Sequence, residues 1–255
     1  MQNSDPKPGR AGKIALVAVL VGAAGLGGWY AERLFADPAA SVASGDRAAI
    51  EKIVHDYILA NPEILPQAMD NLQAKQGQAQ LSDVRGDVEK AFPGAVMGNP
   101  NGTITLVEFT DFACGYCRRS VEDVDALIAK HPELKIVIRE LPILSPQSAE
   151  AARMALAAAE QGKYTAFHKA MFAAGQPDAA TIDAAAKMAG LDLDRARKTA
   201  ASAQVSQELD SNVELARKLG FGGTPSWIVG DSLIAGAVGM DQLSQAIEAA
   251  KKSGS

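Results

Sequence analysis

Cysteine is almost missing from this chain: 255 residues contain two, and they stand three positions apart. That count excludes a disulfide-stapled scaffold. A bridge between such close neighbours closes a very small loop and restrains the unfolded chain little, so the pair needs a chemical explanation more than a stability one. Aromatic residues are scarce at 5% while alanine is abundant, which favours helices over strands. No Lys/Arg-rich block occurs and the net charge is −5. A nucleic-acid role is thereby excluded, because neutralising phosphates takes a clustered positive surface. What remains is the composition of a folded globular protein, 47% hydrophobic and 22% charged, long enough for one good-sized domain plus attachments.

One uncharged apolar run is present, Ile14 to Ala31. As a helix it would extend roughly 27 Å, just enough for a thin or average hydrocarbon core. Lys7, Arg10 and Lys13 precede it and Trp29 and Tyr30 close it. This is the charge and aromatic pattern of an anchor whose N-terminal side stays in the cytoplasm. We expect residues 1–35 to form a cytoplasmic tip and a transmembrane anchor. The alternative is a cleaved signal peptide with a cut near Ala36 or Ala43. Either places the remainder outside the cytoplasm, where disulfides form and persist.

Residues 36–45 are small, polar and Pro-containing, and read as a linker. From Asp46, a possible helix cap, Ile50, Ile53, Val54, Tyr57 and Ile58 recur at helical spacing. Asn61-Pro62 interrupts the pattern, and Pro62 suits the first turn of a second helix carrying Ile64, Leu65, Ala68, Met69 and Leu72. Residues 73–90 are polar, with Gly77 and Gly86 as weak points. The apolar stripe of segment 46–90 either folds back on the main domain or self-associates, and we favour self-association into a homo-oligomer.

The main domain, 91–255, starts near Pro93 with a turn at Asn99–Gly102. Thr103–Phe109 reads as a buried strand, followed by a helix to about Lys130 that His131-Pro132 ends. Lys135–Arg139 is a second strand, and about 145–218 is a helical insertion. Thr224–Val229 and Ser232–Gly236 are further strands, and Asp241–Lys251 is a last helix. The predicted class is α/β, a thioredoxin-like fold with an inserted helical domain, preceded by the anchor and the helical segment.

Cys114-Gly115-Tyr116-Cys117 falls where the strand gives way to the helix. A thiolate is the attacking species in disulfide exchange. Unpaired amides and the positive end of the dipole at a helix start stabilise that anion. Cys114 is therefore the expected exposed nucleophile. Cys117, one turn inward, is the more buried thiol that resolves the mixed disulfide, and Gly115 and Tyr116 tune the pair. Arg118 and Arg119 are expected to be solvated. The competing reading of Cys-x-x-Cys, half a zinc site, lacks a second pair, and His55, His131 and His168 are scattered. No metal and no cofactor are expected. Glu108, inside the apolar strand, would have a raised pKa if buried and could take the Cys117 proton; otherwise it is an edge-strand acid facing water. Pro225 inside an apolar run suggests a cis peptide that leaves the Thr224 backbone open to a substrate strand; otherwise it is a trans proline starting a strand.

On Leu106-Val-Glu-Phe-Thr-Asp-Phe-Ala-Cys-Gly-Tyr-Cys117, the helical insertion and Gly223-Thr-Pro-Ser-Trp227, the chain resembles the DsbA family of bacterial periplasmic thiol–disulfide proteins. The resemblance implies Cys114 as nucleophile, Cys117 as resolving thiol, Glu108 as buried acid and Thr224-Pro225 as a cis-proline loop against the substrate. Gly115-Tyr116 departs from the Pro-His of the best-known oxidases and matches disulfide isomerases. Residues 46–78, above all Ile53–Leu65, are similar to the N-terminal segment of ScsC-like proteins, some of which oligomerise through it. The implied function is disulfide isomerisation or reduction in unfolded or misoxidised exported proteins, with a membrane redox partner. The implied location is the bacterial inner membrane, with the catalytic domain in the periplasm. The alternatives are a disulfide oxidase, or a copper-binding or chaperone protein without turnover.

Overall fold

The computed structural model describes residues 44–253. The anchor expected at 14–31 and the linker before Ser44 lie outside the described residues. Among the described residues no helix is long and apolar enough to cross a membrane.

The chain divides into two compact units between Pro66 and Gln67. In the first, α1 (Ser44–Ala60) ends where Asn61 donates its side-chain amide to the Tyr57 carbonyl at 2.8 Å. Pro62 lies in the turn that follows, ahead of α2 (Ile64–Leu81) rather than in its first turn. Asp46 stands in the first turn of α1, not before it, because the helix starts at Ser44. The polar face of α1 carries i,i+4 ion pairs, Arg47–Glu51 and Lys52–Asp56, each at 2.9 Å.

The second unit contains a five-stranded sheet in the order β1-β3-β2-β4-β5. Its strands are β1 (Val96–Gly98), β2 (Ile104–Thr110), β3 (Leu134–Glu140), β4 (Ser226–Val229) and β5 (Ser232–Ala235). β2 and β3 run parallel and every other pairing is antiparallel. β1 has no counterpart in the sequence pattern, because three residues cannot display an alternation. The short α3 (Arg85–Val88) precedes β1, α4 (Gly115–Lys130) connects β2 to β3, and α10 (Gly239–Ser253) packs beside α4.

Between β3 and β4 lie α5 (Pro146–Glu160), α6 (Tyr164–Ala174), α7 (Ala179–Met188), α8 (Leu193–Ala200) and α9 (Ala203–Lys218). The insertion is cut into short helices by its own caps. Ser145, Asp178, Asp192 and Ser202 each accept a hydrogen bond from a backbone amide three residues on.

Side-chain alternation splits β2 between two cores. Leu106 joins one cluster with Val124 and Leu127 of α4, Leu243 and Ile247 of α10, and much of the insertion. Val107 and Phe109 join another with Leu81, Val84, Val88, Leu215 and Leu219. Residues near 81–88, which sequence grouped with the N-terminal helices, thus supply part of the second core. Gly77, read from sequence as a weak point, does not interrupt α2. It is buried, and a Cβ added there would overlap the Asp231 carbonyl oxygen, so glycine permits a close approach of α2 to the β4–β5 turn.

Candidate active site

β2 ends at Thr110, and Asp111–Ala113 turn the chain into α4, whose N-cap is Cys114. The Cys114 amide donates to the Asp111 carbonyl at 2.9 Å, and the Arg118 amide to the Cys114 carbonyl at 3.1 Å. The Cys114 sulfur accepts the Cys117 amide at 3.4 Å and donates to the Thr224 carbonyl at 3.2 Å. Thr224–Pro225 is a cis peptide, so the loop expected beside the cysteine is there. The Thr224 carbonyl, however, is engaged by the thiol and not open, as the sequence had suggested.

Cys114 is 5% exposed and Cys117 1%, so the contrast between an open and a buried sulfur is smaller than expected. The Thr224–Pro225 loop lies over Cys114. Access remains along the side of Gly115 and Tyr116, which are exposed. A Cβ added at Gly115, Gly222 or Gly223 would meet nothing. The Arg119 guanidinium stacks on the Tyr116 ring, 4.3 Å from its centroid. Arg118 is partly buried and two of its nitrogens have no hydrogen-bond partner. Arg118 is therefore not simply solvated, whereas Arg119 is exposed, its guanidinium resting on the exposed Tyr116 ring.

The two thiols are driven apart electrostatically. Burial acts upward on Cys114, but the Thr224 side chain and the amides of Cys117 and Tyr116 outweigh it and hold the thiol below its ordinary value. Cys117 is pushed far up, first by burial and then by the charge of Glu108. Glu108 is 2% exposed on the central strand, between Ile138 and Trp227 in register, so the edge-strand alternative falls. Burial, with a smaller contribution from Cys114, raises its carboxyl to about 8. Its Oε2 and the Thr110 hydroxyl are buried without a partner.

Three participants carried no signal of their own in the sequence. Asp111 sits inside the quoted strand–cysteine segment, 1% exposed. Glu140, opposite Thr110 in register, accepts the Tyr164 hydroxyl at 2.6 Å. Burial, then the charges of Asp111 and Glu108, hold the Glu140 carboxyl well above the usual carboxylate range. His168, 1% exposed, is enclosed by the rings of Phe112, Tyr164 and Phe172 with both nitrogens unpartnered.

A thiol at a helix N-terminus, a deeper thiol one turn on, a buried acid and a cis-proline loop are parts of one arrangement on a DsbA-like thioredoxin fold, and that fold supports thiol–disulfide oxidoreductase activity. The chain belongs to the DSBA-like thioredoxin domain family, whose sequence model matches residues 105–248. The model of the copper resistance protein ScsC N-terminal domain matches residues 46–79.

Among solved structures, a thioredoxin-like oxidoreductase from Silicibacter pomeroyi is 42% identical over 62% of this chain and 91% of its own, with a TM-score of 0.60. The thiol-disulfide exchange protein alpha-DsbA2 from Wolbachia pipientis is 28% identical over 70% of this chain and 97% of its own, with a TM-score of 0.65. A linker-deletion variant of ScsC from Proteus mirabilis is 26% identical over 84% of this chain and 98% of its own, with a TM-score of 0.63. Curated relatives are sodium/proton antiporters, among them NhaA 3 of Salinispora tropica, 29% identical over 69% of this chain. The chain spans 28% of the length of that protein.

Proposed function

We propose that this chain reduces and rearranges disulfides in unfolded or misoxidised exported proteins, through Cys114 and Cys117, outside the bacterial cytoplasm. The observation that carries the reading is the sulfur of Cys114 at the start of α4, held by the Cys117 amide and facing Thr224. The Cys114 thiolate attacks one sulfur of a client disulfide. The client S–S bond breaks, a mixed disulfide forms on Cys114, and the departing client thiolate takes a proton. Two exits follow. Another client thiolate can attack the mixed disulfide, which returns Cys114 and leaves the client rearranged with no net electron transfer. Alternatively Cys117 gives its proton to ionised Glu108 and attacks the Cys114 sulfur, expelling the client cysteine. The client is then reduced by two electrons and the Cys114–Cys117 pair is oxidised. A carboxyl whose pKa burial lifts to about 8 is a competent base near neutrality. Resetting the pair then takes a reductant, for which a membrane redox partner is the proposed source.

Gly115-Tyr116 supplies no cation to the thiolate, which supports isomerase or reductase over oxidase. Self-association is supported by the exposure of Ile50, Ile53, Val54, Tyr57, Leu65, Met69 and Leu72, large apolar side chains at helical spacing. A homo-oligomer would present several Cys114 sulfurs around one client.

Two experiments test this. Cys117→Ala removes the resolving thiol and should accumulate mixed disulfides between Cys114 and exported proteins on non-reducing gels. No trapped client means the redox reading is wrong. Light scattering should give a multiple of the chain mass for residues 46–255, and a single chain once Ile53, Tyr57 and Met69 are replaced by serine. A single-chain mass for the unsubstituted protein would remove the oligomer.

A further inference from the structure

Glu140 is a second buried acid beside Glu108, and the disulfide chemistry above does not use it. Alternation puts Glu108 and Thr110 on one face of β2, and Glu140, in register with Thr110, on the same face of β3. Neighbouring strands stand about 4.8 Å apart. On this face Glu108 Oε2, the Thr110 hydroxyl and Glu140 Oε2 are all buried with no hydrogen-bond partner. A polar atom buried alone is costly, and here such atoms are gathered on two adjacent strands.

The other groups around them are committed elsewhere. Tyr164 on α6 donates its hydroxyl to Glu140 Oε1 at 2.6 Å, and His168 packs against the Tyr164 ring. Burial pushes the Tyr164 hydroxyl well above its ordinary value, so it stays a donor. Asp111 gives Oδ1 to the Ala113 amide at 2.8 Å, and Oδ2 to the amides of Ile143 and Leu144, each at 2.9 Å. Asn212 on α9 donates to the Glu140 carbonyl at 3.0 Å, not to its carboxyl. On α4, Cys114 and Cys117 interact with Glu108.

Burial, then the charges of Asp111 and Glu108, keep Glu140 protonated at neutral pH. A neutral acid carries one O–H. With Oε1 accepting from Tyr164, that proton belongs on Oε2, the unpartnered oxygen. The Thr110 hydroxyl can accept and donate at once. Burial drives the Glu108 carboxyl up, and Thr110 already acts against it.

We propose that Glu140 is a positioning residue for Glu108: as a neutral acid fixed by Tyr164, it donates its Oε2 proton toward Thr110 and Glu108 and steadies the Glu108 carboxylate that receives the Cys117 proton. One internal water is a fitting bridge, since a buried water commonly joins about three such groups. The catalytic use of this path rests on the redox reading. The path itself does not.

The test is an infrared pH titration of the reduced full chain, following the C=O bands of protonated buried carboxyls, with Glu108→Gln identifying the Glu108 band. In the wild type that band should titrate at about 8 while the Glu140 band persists. Ionisation of Glu140 before Glu108 overturns the proposal. Glu140→Gln keeps an acceptor for Tyr164 and an N–H donor, and should leave the Glu108 midpoint in place. A fall there means that Glu140 acts as a charge, and overturns the proposal. Neither result depends on a disruptive variant. Glu140→Met keeps the shape without the donor, and should raise the midpoint by about one unit, the size of one hydrogen bond to an ionised group. No shift would make Glu140 a packing residue only, and overturns the proposal. Client release from the mixed disulfide at pH 7 should slow about tenfold in Glu140→Met and stay normal in Glu140→Gln. Release that ignores these shifts, with the infrared pattern intact, counts against the redox reading and leaves the hydrogen-bond path standing.

Discussion

Arg139 and Glu108 are both charged side chains 2% exposed on neighbouring strands at the middle of one sheet, and their surroundings could hardly differ more. Arg139 points into the core shared with Val88 and α9. Its guanidinium donates to Glu208 at 2.7 Å, to Asn212 at 3.0 Å, to the Val88 carbonyl at 3.1 Å, and to the carbonyls of Asp87 and Lys90. Glu108, on the opposite face below Cys117, keeps one oxygen with no partner at all. Burying a charge is strongly unfavourable unless partners replace water. The fully partnered charge is a structural clamp. The under-partnered one ionises only near pH 8, so at neutrality its carboxylate is the minority form, and that form accepts the Cys117 proton in the resolving step.

The sharpest break of that comparison is Arg139→Met. It strands Glu208 and three carbonyls, and should cost about 3–5 kcal/mol in urea denaturation, while the surviving folded fraction exchanges disulfides at the normal rate. A loss below 1 kcal/mol would mean that the clamp is redundant.

His168 is the next case, a second buried group without partners on the Glu108 side. Burial lowers its pKa from 6.5 to about 4, so the unfolded chain binds the proton more readily across that window. Stability is therefore full above the unfolded value and is lost as pH falls from about 6.5 toward 4. Relative to His168→Leu, the wild type should lose about 3 kcal/mol over this range in pH-dependent denaturation. Parallel curves for the two proteins would show that the ring finds a partner in solution.

Glu108→Gln should have the most selective effect. Release of client from the mixed disulfide should slow about hundredfold in stopped-flow measurements, with little change in the initial attack by Cys114. The sign of its stability effect follows from a native pKa of about 8 against 4.5: the native state holds the proton longer, so wild-type stability declines as pH rises through that interval. The glutamine variant should escape the decline. Equal slowing of both steps would remove Glu108 as the base for Cys117.

How far the site could be read in advance depended on distance along the chain. Strand, Cys-x-x-Cys and helix are consecutive, so local pattern located Cys114 and Cys117 at the junction, and the apolar neighbours of Glu108 marked it as unusual. A proline within a strand-like run pointed to the cis bond at Thr224–Pro225. Asp111 was in view but silent, because its partners Ile143 and Leu144 come from a loop that no spacing connects to it. Glu140 carried no signal, because its partner Tyr164 comes from a helix well beyond it in the chain. Gly77 looked like a helix breaker, because nothing local announces that the Asp231 carbonyl will lie against it.

By itself the sequence determined the order of the longer elements and the pair of sulfurs, since periodicity and the Cys-x-x-Cys spacing are properties of short segments, while the three-residue β1 left no trace in it. Only the tertiary structure decided which buried charges keep partners and which do not. It also set how deeply Cys114 lies beneath Thr224 and which loop Asp111 fastens. Those outcomes depend on how segments far apart in the chain exclude water from one another, and desolvation is a property of the packed whole.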